Sequence, residues 1–571
     1  MSTTDLPVQH VNGDPLSEEQ RKYLEGFFAG LAAHGVSFGD VQAPPVPGKT
    51  VSRDDLIFEE RVKHELHPLD AYDQITENAI NNKSPDKEET FRFKWNGLFF
   101  LTPNKEAFMS RLRIPGGQLK SFQLRELAAI AKELTSGYIQ ITTRANLQMR
   151  LIQPKDCPEF LRRVQSVGLH TRGSGADNIR NLTANPTAGI DPHELIDVMP
   201  LCQELGQLII NDRSFYDMPR KFNIAYDGGG LIGTVEDTND IGAKAVKVGD
   251  EILFRIALGG ATGHKAFAND LGVLVKPTEL NKVVLALVRI YIANGNRTDR
   301  KKARLKHLLE SWSLEKYLGE TEKLLGFKLT RSAFDPTTLH YPGQKIAHSH
   351  IGVFPQKQKG LNYVGIAMPV GQITAKQMLR LAELAELYGS GEVRLTVWQN
   401  CVLPNVPDAY VATVEKALRK MGFDTKQSML RGGLIACTGN AYCKFAQANT
   451  KSHALELADY LEKHITLDRP VNIHLTGCPN SCAQHYMGDI GLLGTKVKGE
   501  DGYHVFIGGG FGANRAVGRQ IFTGLTVDNL KTTLEAMLKS YLRHCEPNEP
   551  FQQFTARHDL NTLQRFFTNN E

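Results

Sequence analysis

Residues 114–118 read IPGGQ, and residues 368–372 read MPVGQ, so one short turn sequence occurs twice, 254 positions apart. The same offset aligns TTRAN at 142–146 with TVWQN at 396–400, without a gap. A period of this length is that of a whole domain, because solenoid repeats recur every ~20–50 residues. The sequence therefore predicts an internal duplication with an approximate two-fold axis.

Strand and helix patterns alternate around the first of these two copies. Apolar and polar residues alternate at 109–114, and strand-like runs follow at 138–142 and 147–151. One amphipathic helical pattern covers 124–136, and a second helix is indicated at 157–167. Each copy is followed by a longer segment of mixed patterns, so we expect small and large α/β units to alternate along the chain.

Length and composition exclude several classes of protein. At 571 residues the chain is longer than a single hydrophobic core can organise. No stretch approaches the ~18 consecutive apolar residues of a membrane span, and the polar, acidic N-terminus lacks the features of a signal peptide. We expect a cytoplasmic protein of several domains, with no membrane partner.

The first 90 residues differ from the rest of the chain in charge. They hold 17 acidic and 8 basic residues, a net charge of −9, whereas the remainder carries +14. We expect a short helix at 53–63 and a charged loop at 83–89, within an arm that lies over a core. The bases of 91–180 are mostly single residues inside regular structure. This distribution favours an anionic small molecule or an acidic protein over nucleic acid as the partner.

Four of the eight cysteines form two close pairs near the C-terminal end. Five residues separate Cys437 from Cys443, and three separate Cys478 from Cys482. A [4Fe–4S] cluster takes four Cys sulfurs, and turn residues beside each pair would let the chain bend around one. An alternating run at 471–476 precedes the second pair, which is therefore expected in a loop at the end of a strand.

Other interpretations of these cysteines have to be weighed against a cluster. Structural zinc sites usually use tighter pairs, so the observed spacing fits zinc poorly. Disulfides need an oxidising compartment, which nothing in the sequence indicates. A cluster is favoured, and a zinc-stapled, duplicated binding protein without redox activity is the alternative from a different class.

The cysteine pattern, with TGCPNSC at 476–482, resembles the signature of the siroheme and [4Fe–4S] nitrite and sulfite reductase family. The resemblance runs from about residue 99 to about residue 519. It includes SRLRIPGG at 110–117, TTRANLQ at 142–148, DNIRNLTANPTAGIDPHELID at 177–197 and MPRKFN at 218–223. So many motifs in one order make chance similarity improbable. The closest match is the ferredoxin-dependent nitrite reductase branch of the family.

The resemblance implies an α+β, multi-domain fold with a pseudo-two-fold internal duplication. Two small ferredoxin-like α/β units would alternate with two larger α/β domains that bind siroheme and the [4Fe–4S] cluster. The implied layout is an N-terminal arm at 1–90, a half-domain at 91–170, a siroheme and anion-binding domain at 171–340, a second half-domain at 341–426 and a cluster-binding domain at 427–571.

The resemblance also implies a role for each matching residue. The side chains that would surround the substrate on the distal face of the siroheme iron are Arg111, Arg180, Lys221 and Asn223. Siroheme carries eight carboxylates, which suit charge-assisted hydrogen bonds. Its expected partners are Arg113, Arg144, Asn146, Gln148, Arg150 and Arg220. The implied cluster ligands are Cys437, Cys443, Cys478 and Cys482, with Cys482 bridging the cluster to the siroheme iron.

Several of these side chains have plainer interpretations when the resemblance is set aside. Arg111 and Arg113 lie two apart on a predicted strand and could be solvated arginines on one face of a sheet. Lys221 could be an exposed lysine. Asn146 and Gln148 could equally serve as turn and sheet residues.

The implied activity is the six-electron reduction of nitrite to ammonia in nitrate assimilation, carried out by a monomer. Reduced ferredoxin or flavodoxin would be the donor, because the chain has no recognisable flavin or NAD(P)H motif. A ferredoxin-dependent assimilatory sulfite reductase is the alternative within the class. Asn223 stands where sulfite reductases resemble PRKFK, with a second lysine. A neutral side chain there favours nitrite, a monoanion, over sulfite, which is substantially a dianion.

Overall fold

The computed structural model describes residues 56–101, 106–332, 350–426 and 429–568, with a few isolated positions before residue 23. Thr50–Glu571 form one compact unit. Met1–Lys49 form a separate unit, in which the strands His10–Val11 and Asp14–Pro15 pair antiparallel. In the described part of the chain, no helix is long and apolar enough to cross a membrane.

The predicted duplication is present as two small sheets of five antiparallel strands in matching order. The first sheet contains Gln372–Thr374, Tyr138–Ile141, Leu147–Ile152, Ala107–Arg111 and Leu98–Leu101. The second contains Gln118–Lys120, Glu392–Leu395, Cys401–Pro407, Leu361–Ile366 and Gly352–Pro355. The edge strand of each sheet comes from the other copy. The two copies therefore exchange strands reciprocally about the predicted two-fold axis.

The helices of the two copies keep the same 254-residue offset. Ser121–Leu134 corresponds to Ala375–Tyr388, and Cys157–Ser166 corresponds to Val411–Lys420. Buried apolar residues of the first helix recur at helical spacing, and Thr374 caps the second in a reciprocal pair with Gln377. The two copies share one hydrophobic core. A shared core suits the two copies, because a unit as small as one copy would bury too little apolar surface to be very stable alone.

Two larger sheets build the remainder of the molecule. One contains Ile224–Asp227, Ile241–Val248, Glu251–Leu258, Asn269–Val275 and Thr330–Arg331. The other contains Leu434–Ala436, Ile473–Thr476, Ile490–Val497, Glu500–Ile507 and Arg519–Thr526. The helices packed with the first are Met199–Asn211, Leu280–Asn294, Leu305–Ser311 and Leu314–Leu325. Those packed with the second are Thr450–His464, Val527–His544, Phe551–Ala556 and Leu560–Thr568. Each set has its own core.

The segment before the first small sheet is more ordered than the sequence predicts. The expected short helix is present as Phe58–Glu65, and a second helix, Tyr72–Ile80, follows it. The predicted charged loop at 83–89 is wrong in its second half, where Lys87–Arg92 is a helix. The cause is a capping box, in which the Asp86 carboxylate accepts from two backbone N–H groups and Glu89 accepts in return from the Asp86 N–H.

Candidate active site

A cavity of about 380 Å³ is lined by residues from both halves of the duplicated chain. All four paired cysteines line it: Cys437, Cys443, Cys478 and Cys482. The predicted side chains that join them are Arg111, Arg144, Asn146, Gln148, Arg150, Arg180, Lys221 and Asn223. Twelve of the fourteen residues expected at the site therefore meet around one space.

Two neighbouring strands present the two cysteine pairs to the cavity. Cys437 directly follows Leu434–Ala436, and Cys478 lies just beyond Ile473–Thr476. These strands are parallel, so their carboxyl ends meet at one edge of the sheet. The Gly477 N–H donates to the Cys437 sulfur at 3.2 Å. A side chain at Gly477 would lie 2.5 Å from the Ala446 methyl group, so the close approach of the two cysteine segments requires glycine here.

The arrangement of the thiols fits a cluster rather than a single metal ion. Within the described ranges, no three His, Cys, Asp or Glu side chains are close enough to hold one ion. Structural zinc requires four ligands around a single ion, whereas each iron of a cubane takes one thiolate. Cys482 is the most exposed of the four because it faces the cavity. Desolvation inside the cavity and the neighbouring thiols together raise the pKa of the Cys482 thiol to about 11, against the opposing effect of Lys221, so metal binding is what would deprotonate it.

Two arginines at the cavity form no ion pair with a carboxylate in the described part of the chain. Arg111 and Arg180 each donate from Nη1 to the Ser174 carbonyl, at 3.4 and 3.2 Å, and Arg180 also donates from Nη2 to the Ala176 carbonyl at 2.6 Å. The Nε of Arg180 is buried with no hydrogen-bond partner in the described structure. Burial lowers the pKa of both groups, and Arg111 lowers that of Arg180 further. Buried cations of this kind require an anion.

Lys221 and Asn223 complete this cationic face of the cavity. The two residues lie just before the strand Ile224–Asp227, and both side chains line the cavity as their spacing predicts. Burial and, to a smaller extent, Arg304 lower the pKa of Lys221 to about 7, against the opposing effect of the Cys482 thiolate. Lys221 is half-buried and lines the cavity, which disfavours its interpretation as a plain exposed lysine. An ammonium group at this position can release a proton near neutral pH.

Arg144 and Arg150 line the cavity and are held in place by neutral groups. Arg144 donates to the Asn181 carbonyl from Nε and Nη2, at 3.2 and 3.0 Å. Arg150 donates from Nη2 to Gln148 and Thr438, both at 2.8 Å. Burial lowers the pKa of each arginine to about 10. The Gln148 side-chain oxygen therefore helps to orient the Arg150 guanidinium in the cavity.

Asn146 serves mainly as a turn residue, which was the plainer of its two interpretations. Its amide nitrogen donates to the Leu112 carbonyl, and it follows Ala145, whose φ of +45° is left-handed. The amide oxygen is buried without a hydrogen-bond partner in the described structure, although the side chain lines the cavity. That oxygen is available to a cofactor group that can donate a hydrogen bond.

Arg113 and Arg220 are not among the residues that line the cavity. Arg113 is 2% exposed and donates to the Arg172, Gly173 and Ile179 carbonyls. It fixes the segment that carries Ser174 and Arg180, and it is not the solvated arginine of the plainer interpretation. Arg220 pairs with the buried Asp177, 3.3 Å away. For both residues the structure favours a supporting role over direct cofactor contact.

Arg304 lines the cavity and was missed by sequence reasoning. Its guanidinium makes a two-pronged contact with Asp240 through Nη2, at 2.9 and 2.8 Å. The same carboxylate accepts the Asn223 backbone N–H at 2.8 Å, so Asp240 ties Arg304 to the cationic face. In the sequence Arg304 lies in a charged run, RKKARLK at 300–306, which is typical of a solvated segment. No local pattern distinguishes it from its exposed neighbours.

The fold and the cavity together define a duplicated α+β iron–sulfur oxidoreductase whose reaction site is built to receive an anion. Comparison with known families agrees. The nitrite and sulphite reductase 4Fe-4S domain matches residues 175–329 and 432–567, and the nitrite/sulfite reductase ferredoxin-like half domain matches residues 102–167 and 354–421. The chain belongs to the nitrite and sulphite reductase family. Its predicted fold class, its [4Fe–4S] cluster and siroheme, and its oxidoreductase class are thereby confirmed.

Individual relatives are similar over most of their length. A ferredoxin–nitrite reductase of Synechococcus elongatus is 37% identical over 504 residues, which cover 86% of this chain and 97% of the relative. An assimilatory ferredoxin-dependent nitrite reductase of Haloferax mediterranei is 31% identical and covers 85% of this chain and 88% of the relative. The solved structure of the Mycobacterium tuberculosis NirA protein superposes with a TM-score of 0.82 at 28% identity, over 89% of this chain and 97% of that one.

Proposed function

We propose that the chain is a ferredoxin-dependent nitrite reductase that converts nitrite to ammonia in the cytoplasm during nitrate assimilation. The observation that carries the proposal is a single cavity lined by four cysteines, an amide and three cations that form no ion pair with any carboxylate the structure describes. The relatives named as ferredoxin-dependent nitrite reductases support the choice of nitrite.

The residues around the cavity suit the two cofactors of the family. The thiols of Cys437, Cys443, Cys478 and Cys482 would hold the cluster. Arg144 and Arg150 offer positive charge to the carboxylates of siroheme, whereas the charge of Arg304 is balanced by Asp240. When bound, these cofactors supply single electrons and an iron site open to substrate.

The side chains of the cationic face would bind nitrite and supply protons. Arg111 and Arg180 keep their charge across the physiological range, and their hydrogen bonds to Ser174 fix where that charge lies. Six electrons and eight protons convert one nitrite to one ammonium ion and two waters, so the site must be resupplied with protons. The Lys221 ammonium is the group on this face that can give one up near neutral pH and regain it from solvent.

Asn223 is the residue on which the choice between nitrite and sulfite turns. Its side chain shares the cavity with Arg111, Arg180 and Lys221, and it adds a hydrogen-bond donor without a fourth charge. In a site of low effective dielectric, each extra charge favours the more highly charged anion. An assimilatory sulfite reductase is the second candidate, and neutral Asn223 counts against it.

An acidic one-electron carrier is the proposed donor, with ferredoxin preferred and flavodoxin as a substitute. Residues 91–571 carry a net charge of +14, which would attract such a protein. Next to the cluster ligand Cys443, Lys444 is exposed and Phe445 is 58% exposed. The Lys444 ammonium lies 5.3 Å from the centre of the Phe445 ring. A donor that docks on this basic and aromatic surface would lie close to the cluster ligand Cys443. In a monomeric enzyme, electrons would then have a short route from the donor to the cluster.

The stoichiometry of the reaction tests the proposal. Purified holoenzyme would be given chemically reduced ferredoxin and limiting nitrite under argon, and nitrite, ammonium and oxidised ferredoxin would be counted. We expect one ammonium and six oxidised ferredoxins for each nitrite consumed. Turnover with NADPH alone, or accumulation of a partly reduced nitrogen oxide in place of ammonium, would overturn it.

A further inference from the structure

A lysine that the proposed reaction does not use lies beside the cluster ligands. Lys451 is in the first turn of the helix Thr450–His464, and its side chain lines the cavity. Its Nζ donates to the Val370 carbonyl at 2.5 Å and to the Ala436 carbonyl at 3.2 Å. Ala436 directly precedes Cys437, and no carboxylate in the described part of the chain forms an ion pair with Lys451. The ammonium group is therefore anchored next to a thiolate ligand without a compensating carboxylate.

Two features of this environment disfavour a positive charge, while the two carbonyl acceptors and the Cys437 thiolate favour it. The first turn of a helix carries partial positive charge, so a cation there is destabilising. Burial and Arg150 together lower the pKa of Lys451 to about 7, against the opposing effect of the Cys437 thiolate. The Cys437 thiolate, together with the Val370 and Ala436 carbonyl oxygens, would keep Lys451 charged. A cluster with four thiolates would strengthen this effect, because it adds negative charge at the same place.

The duplication supplies an independent comparison. Gly116 is the counterpart of Val370, and both have a left-handed φ, +69° and +44°. The helix that packs at Gly116 is Met199–Asn211, and it presents the apolar Met199 there. At the equivalent place, the half of the chain that holds the cysteines presents a lysine. The cation therefore occurs in the copy that has the cluster and not in the copy that lacks it.

We infer that Lys451 is a positioning residue that sets the reduction potential of the [4Fe–4S] cluster. A fixed positive charge beside Cys437 stabilises the cluster after it has accepted one electron from the donor, because reduction adds one negative charge. No bond is made or broken in this step. The Gly477 N–H, which donates to the Cys437 sulfur at 3.2 Å, acts in the same direction. The inference rests on the cofactors named under the proposed function, and not on nitrite as the substrate.

Potentiometry followed by electron paramagnetic resonance tests this role without any turnover. The holoenzyme variants are Lys451→Gln and Lys451→Met, which remove the charge, and Lys451→Arg, which keeps it. The matched control is Lys463→Gln, which removes an exposed lysine from the last turn of the same helix, about 18 Å away. We expect each neutral variant to lower the equilibrium constant for one-electron reduction of the cluster about tenfold. This change corresponds to a reduction potential lower by about 59 mV. In the arginine variant and in the control, the same equilibrium constant should stay within threefold of the wild-type value.

The outcomes separate a charge effect from a structural one. An unchanged potential in Lys451→Gln or Lys451→Met, with full iron and sulfide content, would overturn the inference. If the neutral variants lose the cluster while Lys451→Arg keeps it, charge at this position is required and the inference stands. If Lys451→Arg loses the cluster as well, Lys451 acts through its shape and the inference falls. If the holoenzyme reduces sulfite in place of nitrite and still shows the expected shift in reduction potential, the proposed function is wrong and the inference about Lys451 stands.

Discussion

Arg111 and Arg180 donate from Nη1 to the same acceptor, the carbonyl oxygen of Ser174, at 3.4 and 3.2 Å. Two half-buried guanidinium groups that share one neutral oxygen repel each other, and Arg111 lowers the pKa of Arg180. Their position is maintained by the backbone that Arg113 fixes from behind. An anion bound between them would relieve the repulsion, so this pair is the structural basis of the proposed substrate site.

Removal of one member of the pair should weaken nitrite binding. A hydrogen bond to a charged group contributes about 1.5–3 kcal/mol, so Arg180→Gln should lower kcat/KM for nitrite roughly tenfold to a hundredfold. Most of the change is expected in KM. The matched control is Arg162→Gln, which removes an exposed arginine paired with Glu159. Steady-state kinetics with reduced ferredoxin would measure both variants, and equal effects would disprove a specific role for Arg180.

Cys482 should be required for electronic contact between the two cofactors. It is the most exposed of the four thiols and faces the cavity, as a bridging ligand must. We expect Cys482→Ala to lose the coupling between siroheme and cluster and most of both cofactors. Cys545→Ala, which removes a thiol outside the cavity lining, should retain them. Iron and sulfide analysis with visible and paramagnetic resonance spectra would decide, and a Cys482→Ala spectrum like that of the wild type would exclude the bridge.

The pH dependence of nitrite reduction should report Lys221. Burial lowers its pKa to about 7, and the group binds an anion and gives a proton only while it is protonated, which is below that pKa. We therefore expect kcat/KM to be level at lower pH and to fall as the pH rises through the pKa of Lys221. In Lys221→Arg the enzyme should be slower and the alkaline fall absent, because guanidinium keeps its proton. An identical alkaline fall in the variant would assign the titration to another group.

Association with ferredoxin should weaken as salt rises. The Debye length shrinks from ~10 Å at 0.1 M to ~3 Å at 1 M, which screens attraction between an acidic carrier and the basic enzyme. Lys444→Glu should raise KM for ferredoxin and reduce its salt dependence, while KM for nitrite stays constant. Lys323→Glu reverses an exposed charge on a distant helix and serves as the control. Ferredoxin binding that is indifferent to salt would contradict electrostatic docking.

Local patterns predicted the elements of the small copies well, and the constant offset predicted their duplication. Ser121–Leu134 and Cys157–Ser166 are close to the helices expected at 124–136 and 157–167. The exchange of edge strands could not be predicted, because Gln118–Lys120 pairs with a strand more than 270 positions away. Pairing over such a distance leaves no periodic signal in either segment.

Errors in the sequence prediction have identifiable physical causes. The helix Lys87–Arg92 was missed because its charges suggested a loop, although Asp86 and Glu89 have the spacing of a capping box. Arg113 shares a strand pattern with Arg111, yet the strand ends at Arg111 and the chain turns Arg113 towards backbone carbonyls. Arg304 reaches the site through Asp240, a partner 64 positions away. Side-chain partners that depend on tertiary structure are beyond what one sequence reveals.

The most direct test of the account is the ratio of kcat/KM for nitrite to kcat/KM for sulfite with reduced ferredoxin, in the wild type and in Asn223→Lys. Three cations and neutral Asn223 predict that the wild type strongly prefers nitrite, and that the added lysine shifts the ratio towards the dianion without a complete conversion. The cofactor spectra of both proteins should be the same. A wild type that prefers sulfite, or a variant whose ratio is unchanged, would contradict the proposal that the charge of this cavity selects the substrate.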